Sequence, residues 1–86
     1  MVQLRTNENT LELSRIDYLI LTSLYSKNAT SAIFGLTIKE LEITEVQRST
    51  IWKHIKFLID NDLVCQSGSY GKQKMYYITE NGRNMI

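Results

Sequence analysis

Residues 37 to 64 read TIKELEITEVQRSTIWKHIKFLIDNDLV, the pattern of a short helix, a turn and a longer helix. On the longer helix Ile51, Ile55 and Leu58 recur at four-and-three spacing, and the last two fall within about 40° of Ile51 on the helical wheel. The opposite side offers hydroxyls, cations and an indole without an acid, from Ser49, Thr50, Trp52, Lys53 and Lys56. One face of this helix therefore suits a core, and the other suits the major groove of DNA.

Two segments resemble winged helix-turn-helix domains of the MarR, PadR and ArsR families. Residues 48–64, RSTIWKHIKFLIDNDLV, resemble the second helix of that motif, and residues 74–83, KMYYITENGR, resemble the element that leads from its last strand into a helix. The two matches stand in the order and spacing of these families. The resemblance implies a small α+β fold with a three-helix core, a β-hairpin wing and a short C-terminal helix, in one domain over residues 1–86.

Capping signals predict where the first two helices begin. The Ser-x-x-Asp pattern at residues 14–17 starts a first helix over residues 15–26. Its buried stripe is predicted to consist of Ile16, Leu19, Ile20 and Leu24. The Thr-x-x-Glu pattern at residues 37–40 starts a short second helix over residues 38–43. Between them, residues 32–36 are apolar, short and contain a glycine, which favours a small edge strand.

The third helix has two alternative starts. A further capping box at residues 44–47 would begin it early, whereas the resemblance makes Val46 the hydrophobic residue of the turn and begins the helix near residues 47–48. The later start is favoured, because Val46 would otherwise be an exposed aliphatic side chain. The helix should end near Asp60, and Asp62 takes a position where the family usually has glycine. Asp tolerates the left-handed backbone that glycine would supply there.

The C-terminal part of the chain predicts a hairpin followed by a helix. Residues 63–67 and 74–78 form its strands, with Tyr76 and Ile78 facing the core at period two. The segment GSYGKQ between the strands is a flexible, glycine-bearing and basic loop, which corresponds to the wing in the resemblance. Thr79 caps the final helix.

Charge is distributed unevenly along the chain, although the net charge of the 86 residues is only +1. Residues 44–58 and 66–78 together carry five basic residues and one acid, a net +4, which leaves −3 for the remainder. The positive charge thus collects on the two segments that the resemblance assigns to DNA.

The candidate DNA contacts lie on the third helix and the wing. They are Arg48, Ser49, Thr50, Trp52, Lys53, Lys56, Tyr70, Lys72 and Lys74. Each has an ordinary alternative. Lys53 and Lys56 are equally typical of a solvated helix face, and lysines on a hairpin also discourage edge-to-edge pairing. Trp52 is expected to pack partly against the second helix or the wing, or to reach the groove.

Two further side chains are interpreted as structural. His54 falls near the core edge of the helical wheel, which favours a packed or capping histidine. Cys65 follows two apolar residues and is expected to be a small buried hydrophobic residue. A redox role would require an exposed thiolate in positive surroundings.

Several classes of function find no support in the sequence. There is no catalytic constellation, phosphate-binding glycine loop or cofactor motif, so an enzyme is not expected. A single cysteine excludes an internal disulfide, and one cysteine with one histidine cannot build a structural zinc site. The longest apolar run, residues 18–25, is too short to span a bilayer, and no signal segment is present. A cytoplasmic location is therefore expected.

The favoured hypothesis is a sequence-specific protein that binds double-stranded DNA as a homodimer. One module of this size buries too little surface for high specificity, and a two-fold dimer on a palindrome removes that limit. No part of the chain is left for a small-molecule effector. A small transcriptional regulator and a plasmid or virus protein for partition or copy control remain open. Residues 1–13 are either a frayed tail or a dimerisation arm through Leu11 and Leu13.

The alternative hypothesis is a winged-helix module that contacts proteins rather than DNA. In that case the outer face of the third helix would dock on a partner. Trp52 and Phe57 favour this alternative, whereas the cations at positions 53 and 56 argue against it.

Overall fold

The structure is a computed structural model that describes residues 11–86. Its elements are helix α1 (Arg15–Ser26), two 3₁₀ turns (Ala32–Phe34 and Lys39–Leu41), helix α2 (Arg48–Asp60), strands β1 (Val64–Tyr70) and β2 (Gln73–Ile78), and helix α3 (Glu80–Asn84). This order confirms the predicted α+β class with a β-hairpin and a short C-terminal helix. None of the helices in residues 11–86 has the length and apolar character needed to cross a membrane.

Helix α1 has the predicted bounds and the predicted cap. The Ser14 hydroxyl accepts from the backbone N–H of Asp17 at 3.3 Å, and the Asp17 carboxylate accepts from the N–H of Ser14 at 2.8 Å. These two bonds satisfy donors that the first turn of a helix leaves unpaired. The buried face differs from the predicted stripe, because Leu21 is fully buried while Leu19 remains partly exposed.

The second predicted helix is reduced to the 3₁₀ turn Lys39–Leu41, so the prediction of a helix over residues 38–43 is wrong. Its capping box does form: the Glu40 carboxylate accepts from Thr37 N–H at 2.9 Å, and Thr37 Oγ1 accepts from Glu40 N–H at 3.3 Å. The turn stops at Glu42, whose backbone is left-handed with φ 58°. A residue in that conformation cannot extend a right-handed helix.

The edge strand predicted over residues 32–36 is also wrong. Residues 32–34 form a 3₁₀ turn, and only Leu36 pairs with the hairpin, through two backbone hydrogen bonds of 2.8 Å with Tyr76. Gly35 lies so close to β1 that a Cβ atom there would overlap the hydroxyl of Ser67. The close approach explains the glycine, and the 3₁₀ turn leaves Ile33 85% exposed.

Helix α2 begins at Arg48 and ends at Asp60, which confirms the later of the two predicted starts. Val46 is half-buried against the core, as expected of the hydrophobic residue in the turn. Asp62 has φ 62°, so an aspartate does occupy the left-handed position predicted for it. The chain then enters β1.

The hairpin is longer and tighter than predicted. Val64 lies opposite Ile78 and Tyr70 opposite Gln73, with an irregularity between Gln66 and Gly68. Only residues 71–72 lie outside the strands, so most of the predicted flexible loop is paired strand. Gly71 has φ 62°, the left-handed conformation that a two-residue hairpin turn requires.

The core lies between α1, α2 and one face of the hairpin. It consists of Ile20, Leu21, Leu24, Ala29, Leu41, Ile51, Ile55, Leu58, Leu63, Val64, Tyr76 and Ile78. The inward direction of Tyr76 and Ile78 is thereby confirmed. Leu11 and Leu13 pack partly against this core. The rest of the predicted tail, residues 1–10, lies outside the described residues.

Candidate nucleic-acid interface

Helix α2 presents the predicted contact residues because its opposite face is anchored in the core. Ile51, Ile55 and Leu58 are fully buried, and the 3.6-residue repeat turns the intervening positions outward. The side chains of Arg48, Ser49, Trp52, Lys53 and Lys56 are exposed, and Thr50 is half-buried.

A cleft of about 260 Å³ separates the N-terminal half of α2 from the hairpin turn. This upper cleft is lined by three cations, two aromatic residues, an aliphatic residue and an amide: Arg48, Lys72, Lys74, Trp52, Tyr76, Ile38 and Gln73. Helix and wing residues that are 20 or more positions apart in the chain thus meet around one space. Among the lining residues there is no carboxylate.

A lower cleft of about 350 Å³ continues along α2 toward its C-terminus. It shares Trp52, Lys74 and Tyr76 with the upper cleft, and it adds Lys56 and Asp60. The Lys56 ammonium lies 5.5 Å from the centre of the Trp52 ring, within cation–π distance. Asp60 is exposed in the last turn of α2, so the outer side of this helix is not free of acids as the sequence predicted.

Lys53 borders a different cleft, on the flank of α2 next to α1. It lines a cleft of about 360 Å³ with Glu12, Ser14, Asp17, His54 and Phe57, and this cleft includes none of the hairpin residues. The two lysines of the predicted contact face therefore border different clefts. Lys56 adjoins the wing, and Lys53 adjoins the N-terminal end of α1.

Tyr70 is exposed at the end of β1 and lines neither the upper cleft nor the lower cleft. It lines a cleft of about 640 Å³ together with Glu40 and Glu42. The Lys27 ammonium, 2.9 Å from Glu42, donates a hydrogen bond that holds the pKa of this carboxyl below its ordinary value. Lys39 also lines this cleft, so Tyr70 lies beside charges of both signs rather than beside the cations of the upper cleft.

His54 is packed, as the sequence predicted, and its partner is Asp17. The ring Nδ1 lies 2.7 Å from the Asp17 carboxylate, which is 3% exposed. The same carboxylate accepts the capping bond of Ser14, so one buried acid fixes both the start of α1 and the middle of α2. Nothing local in the sequence indicates this contact, because the two residues are 37 positions apart.

Cys65 is half-buried rather than buried, and it lies opposite Tyr77 in the hairpin. No three metal-ligating side chains converge anywhere in residues 11–86. The residues that converge are the cations of the upper cleft.

A helix-turn-helix whose second helix packs beside a two-stranded hairpin, with a terminal helix after it, defines a winged helix-turn-helix domain. A solved structure of TubR from Bacillus megaterium pBM400 has this fold, with a TM-score of 0.78 over 95% of this chain and 91% of that chain. Sequence identity to it is 19%, so the likeness establishes the fold. No family model and no curated protein matches the sequence.

Proposed function

We propose that the protein is a sequence-specific regulator that binds double-stranded plasmid DNA. The observation that supports this most directly is the convergence of Arg48 from α2 with Lys72 and Lys74 from the wing, with no carboxylate among the residues that line their cleft. Phosphates dominate the affinity of proteins for DNA, and a basic stripe on one face is its electrostatic signature. The −3 charge of the remaining chain would turn that face toward DNA.

The structural neighbour supports the same proposal. TubR from Bacillus megaterium pBM400 has the same arrangement of helices and hairpin. Partition, copy control and transcription regulation each require a protein that recognises a particular DNA site. A sequence-specific DNA-binding protein could serve in any of the three. The resemblance to MarR, PadR and ArsR proteins favours a regulator that acts in the cytoplasm.

Base contacts are assigned to the first turns of α2. In helix-turn-helix proteins this part of the helix reaches base edges, and Ser49, Thr50 and Lys53 occupy it here. Lysine donates to guanine O6 and N7, and a hydroxyl serves as donor or acceptor. Lys56 lies one turn further along, next to the wing, and is assigned to a phosphate.

We further propose that the protein binds as a homodimer. A palindromic site read by two protomers provides the contact area that one small module lacks. The proposed interface consists of Leu11, Leu13 and residues of either α1 or α3. Tyr18 and Tyr25 lie exposed on α1 and would be covered in such a dimer. Sedimentation at micromolar concentration, with and without DNA, tests it, and a monomer under both conditions would exclude it.

The alternative, a protein-docking module, is supported by exposed apolar side chains. Phe57 is exposed on α2, and Ile33 and Phe34 are exposed in the first 3₁₀ turn. The last two lie beside the hairpin, away from the cations of α2. A partner on that side would leave the DNA face accessible, so the two functions are compatible.

A binding experiment separates the two functions. A labelled duplex of random sequence should bind at low salt and dissociate at high salt, whereas a pure docking module would bind at neither. Selection of sites from a random pool then tests the assignment of bases. Lys53→Ala should lower affinity for the selected site by about 1–3 kcal/mol and relax preference at one base pair. Lys56→Ala should lower affinity and leave the preference unchanged.

A further inference from the structure

We infer that the upper cleft between α2 and the wing binds the sugar–phosphate backbone of one strand of the duplex, with Trp52 as its apolar wall. This inference rests on the proposed function and assigns a specific part of DNA to a specific cleft. It places the wing lysines on the same strand as Arg48, rather than inside a minor groove.

The charges of the cleft are the first argument. Arg15 and Lys27, which lie elsewhere on the surface, each pair with a carboxylate, Glu45 and Glu42 respectively. In the part of the chain that the structure describes, no carboxylate lies within ion-pair distance of the three cleft cations. The three cations line one cleft whose lining has no carboxylate, so a phosphate in that cleft would be attracted by all three. Arginine in addition matches the geometry of phosphate with two parallel donors.

The position of Trp52 is the second argument. Its side chain is 43% exposed and lines both clefts, so an apolar surface borders the cations. A sugar–phosphate chain offers alternating anionic groups and deoxyribose rings, and a cleft with cations and an indole complements both. Lys56, 5.5 Å from the ring, already occupies a face of the indole. Stacking of an unpaired base on that face would have to displace the lysine, which favours duplex over single-stranded DNA.

The shape of the hairpin is the third argument. Its turn consists of Gly71 and Lys72 alone, so the wing has no long loop to insert into a minor groove. Lys72 and Lys74 both line the side of the hairpin that faces α2. A strand that runs between the helix and the hairpin would meet Arg48 on one side and both lysines on the other.

Trp52 provides the experiment, because it is the single tryptophan of the chain. Its fluorescence emission should change when an unlabelled 20-base-pair duplex is added. The change should saturate at the same concentration at which fluorescence anisotropy shows that a labelled copy of the duplex is bound. Arg48→Ala should reduce the loss of affinity between 50 and 200 mM salt by about 3.5-fold per protomer, the effect of one phosphate contact. Lys27→Ala, which removes a paired cation just after the end of α1, is the matched control and should leave this ratio unchanged.

The outcomes distinguish the inference from the proposed function. If the duplex binds while Trp52 emission and the salt ratio of Arg48→Ala both stay unchanged, the cleft does not hold the backbone and only the inference fails. If no duplex binds at low salt, the proposed function fails and the inference with it. If a single-stranded oligothymidine of equal length changes the emission at lower concentration than the duplex does, Trp52 stacks on bases and the assignment to duplex backbone is wrong.

Discussion

Removal of the two wing lysines should change the salt dependence of DNA binding by a predictable amount. Five cations lie on α2 and the wing of each protomer, and four of them, Arg48, Lys56, Lys72 and Lys74, are assigned to phosphates while Lys53 is assigned to a base. If each of the four neutralises one phosphate, log affinity falls with log salt at a slope of about −3.6 per protomer. Lys72→Ala with Lys74→Ala leaves two contacts and a slope of about −1.8 per protomer. Between 50 and 200 mM salt the affinity contributed by each protomer would then fall about 12-fold instead of about 150-fold.

Fluorescence anisotropy of a labelled random duplex over that salt range measures both slopes. The matched control is Arg15→Ala with Lys27→Ala, which removes the same charge from the first turn of α1 and the residue after its end, where both side chains are paired with acids. This control should bind somewhat more weakly and keep the original slope. A wing variant with an unchanged slope would refute the reasoning, because the hairpin would then be structural only. Equal slopes for both double variants would mean that net charge, and not the wing, determines the effect.

Three predictions concern stability. Asp17→Asn should lower the free energy of unfolding by about 1–3 kcal/mol, because the buried carboxylate binds both His54 and the N-cap backbone N–H of α1. An unchanged midpoint of urea unfolding would contradict this prediction. Gly82→Ala should lower it by about 1–3 kcal/mol, seen as a lower melting temperature, because a Cβ there would overlap the Leu63 carbonyl oxygen and lie 2.7 Å from an atom of Ile78. Burial raises the pKa of Tyr76 above its ordinary value, so the stability it contributes is complete below about pH 10 and is lost as the pH rises further. Tyr76→Phe should flatten that alkaline loss in urea titrations at about pH 9 to 11, and an equally steep loss in both proteins would show that other groups cause it.

The features that could be predicted from sequence depend on neighbours in the chain. The bounds of α1 follow from the capping box at Ser14, and the face of α2 follows from the spacing of its aliphatic residues. The left-handed Asp62 and the cap at Thr79 are equally local. Such signals act within one or two turns, so they need no knowledge of the fold.

The errors arise where tertiary contacts compete with local preference. The capping box at Thr37 forms, yet the helix it predicts stops after one 3₁₀ turn at left-handed Glu42. Residues 32–36 read as a strand, but Gly35 is held against Ser67 and only Leu36 finds a pairing partner. In both cases a short segment yields to its packing, since a few residues carry too little intrinsic preference to resist it.

The sequence by itself determined the buried face of α2 and the start of α1, because periodicity and capping are encoded locally, and its resemblance to winged-helix families predicted the fold class. Only the tertiary structure decided how those residues are grouped. It joined Arg48 to Lys72 and Lys74 around one cleft, placed Lys53 beside the N-terminal end of α1 and paired His54 with Asp17. These groupings depend on the angle at which α2 packs against α1 and the hairpin. That angle is fixed by the shape of the whole core, which no single segment of the chain contains.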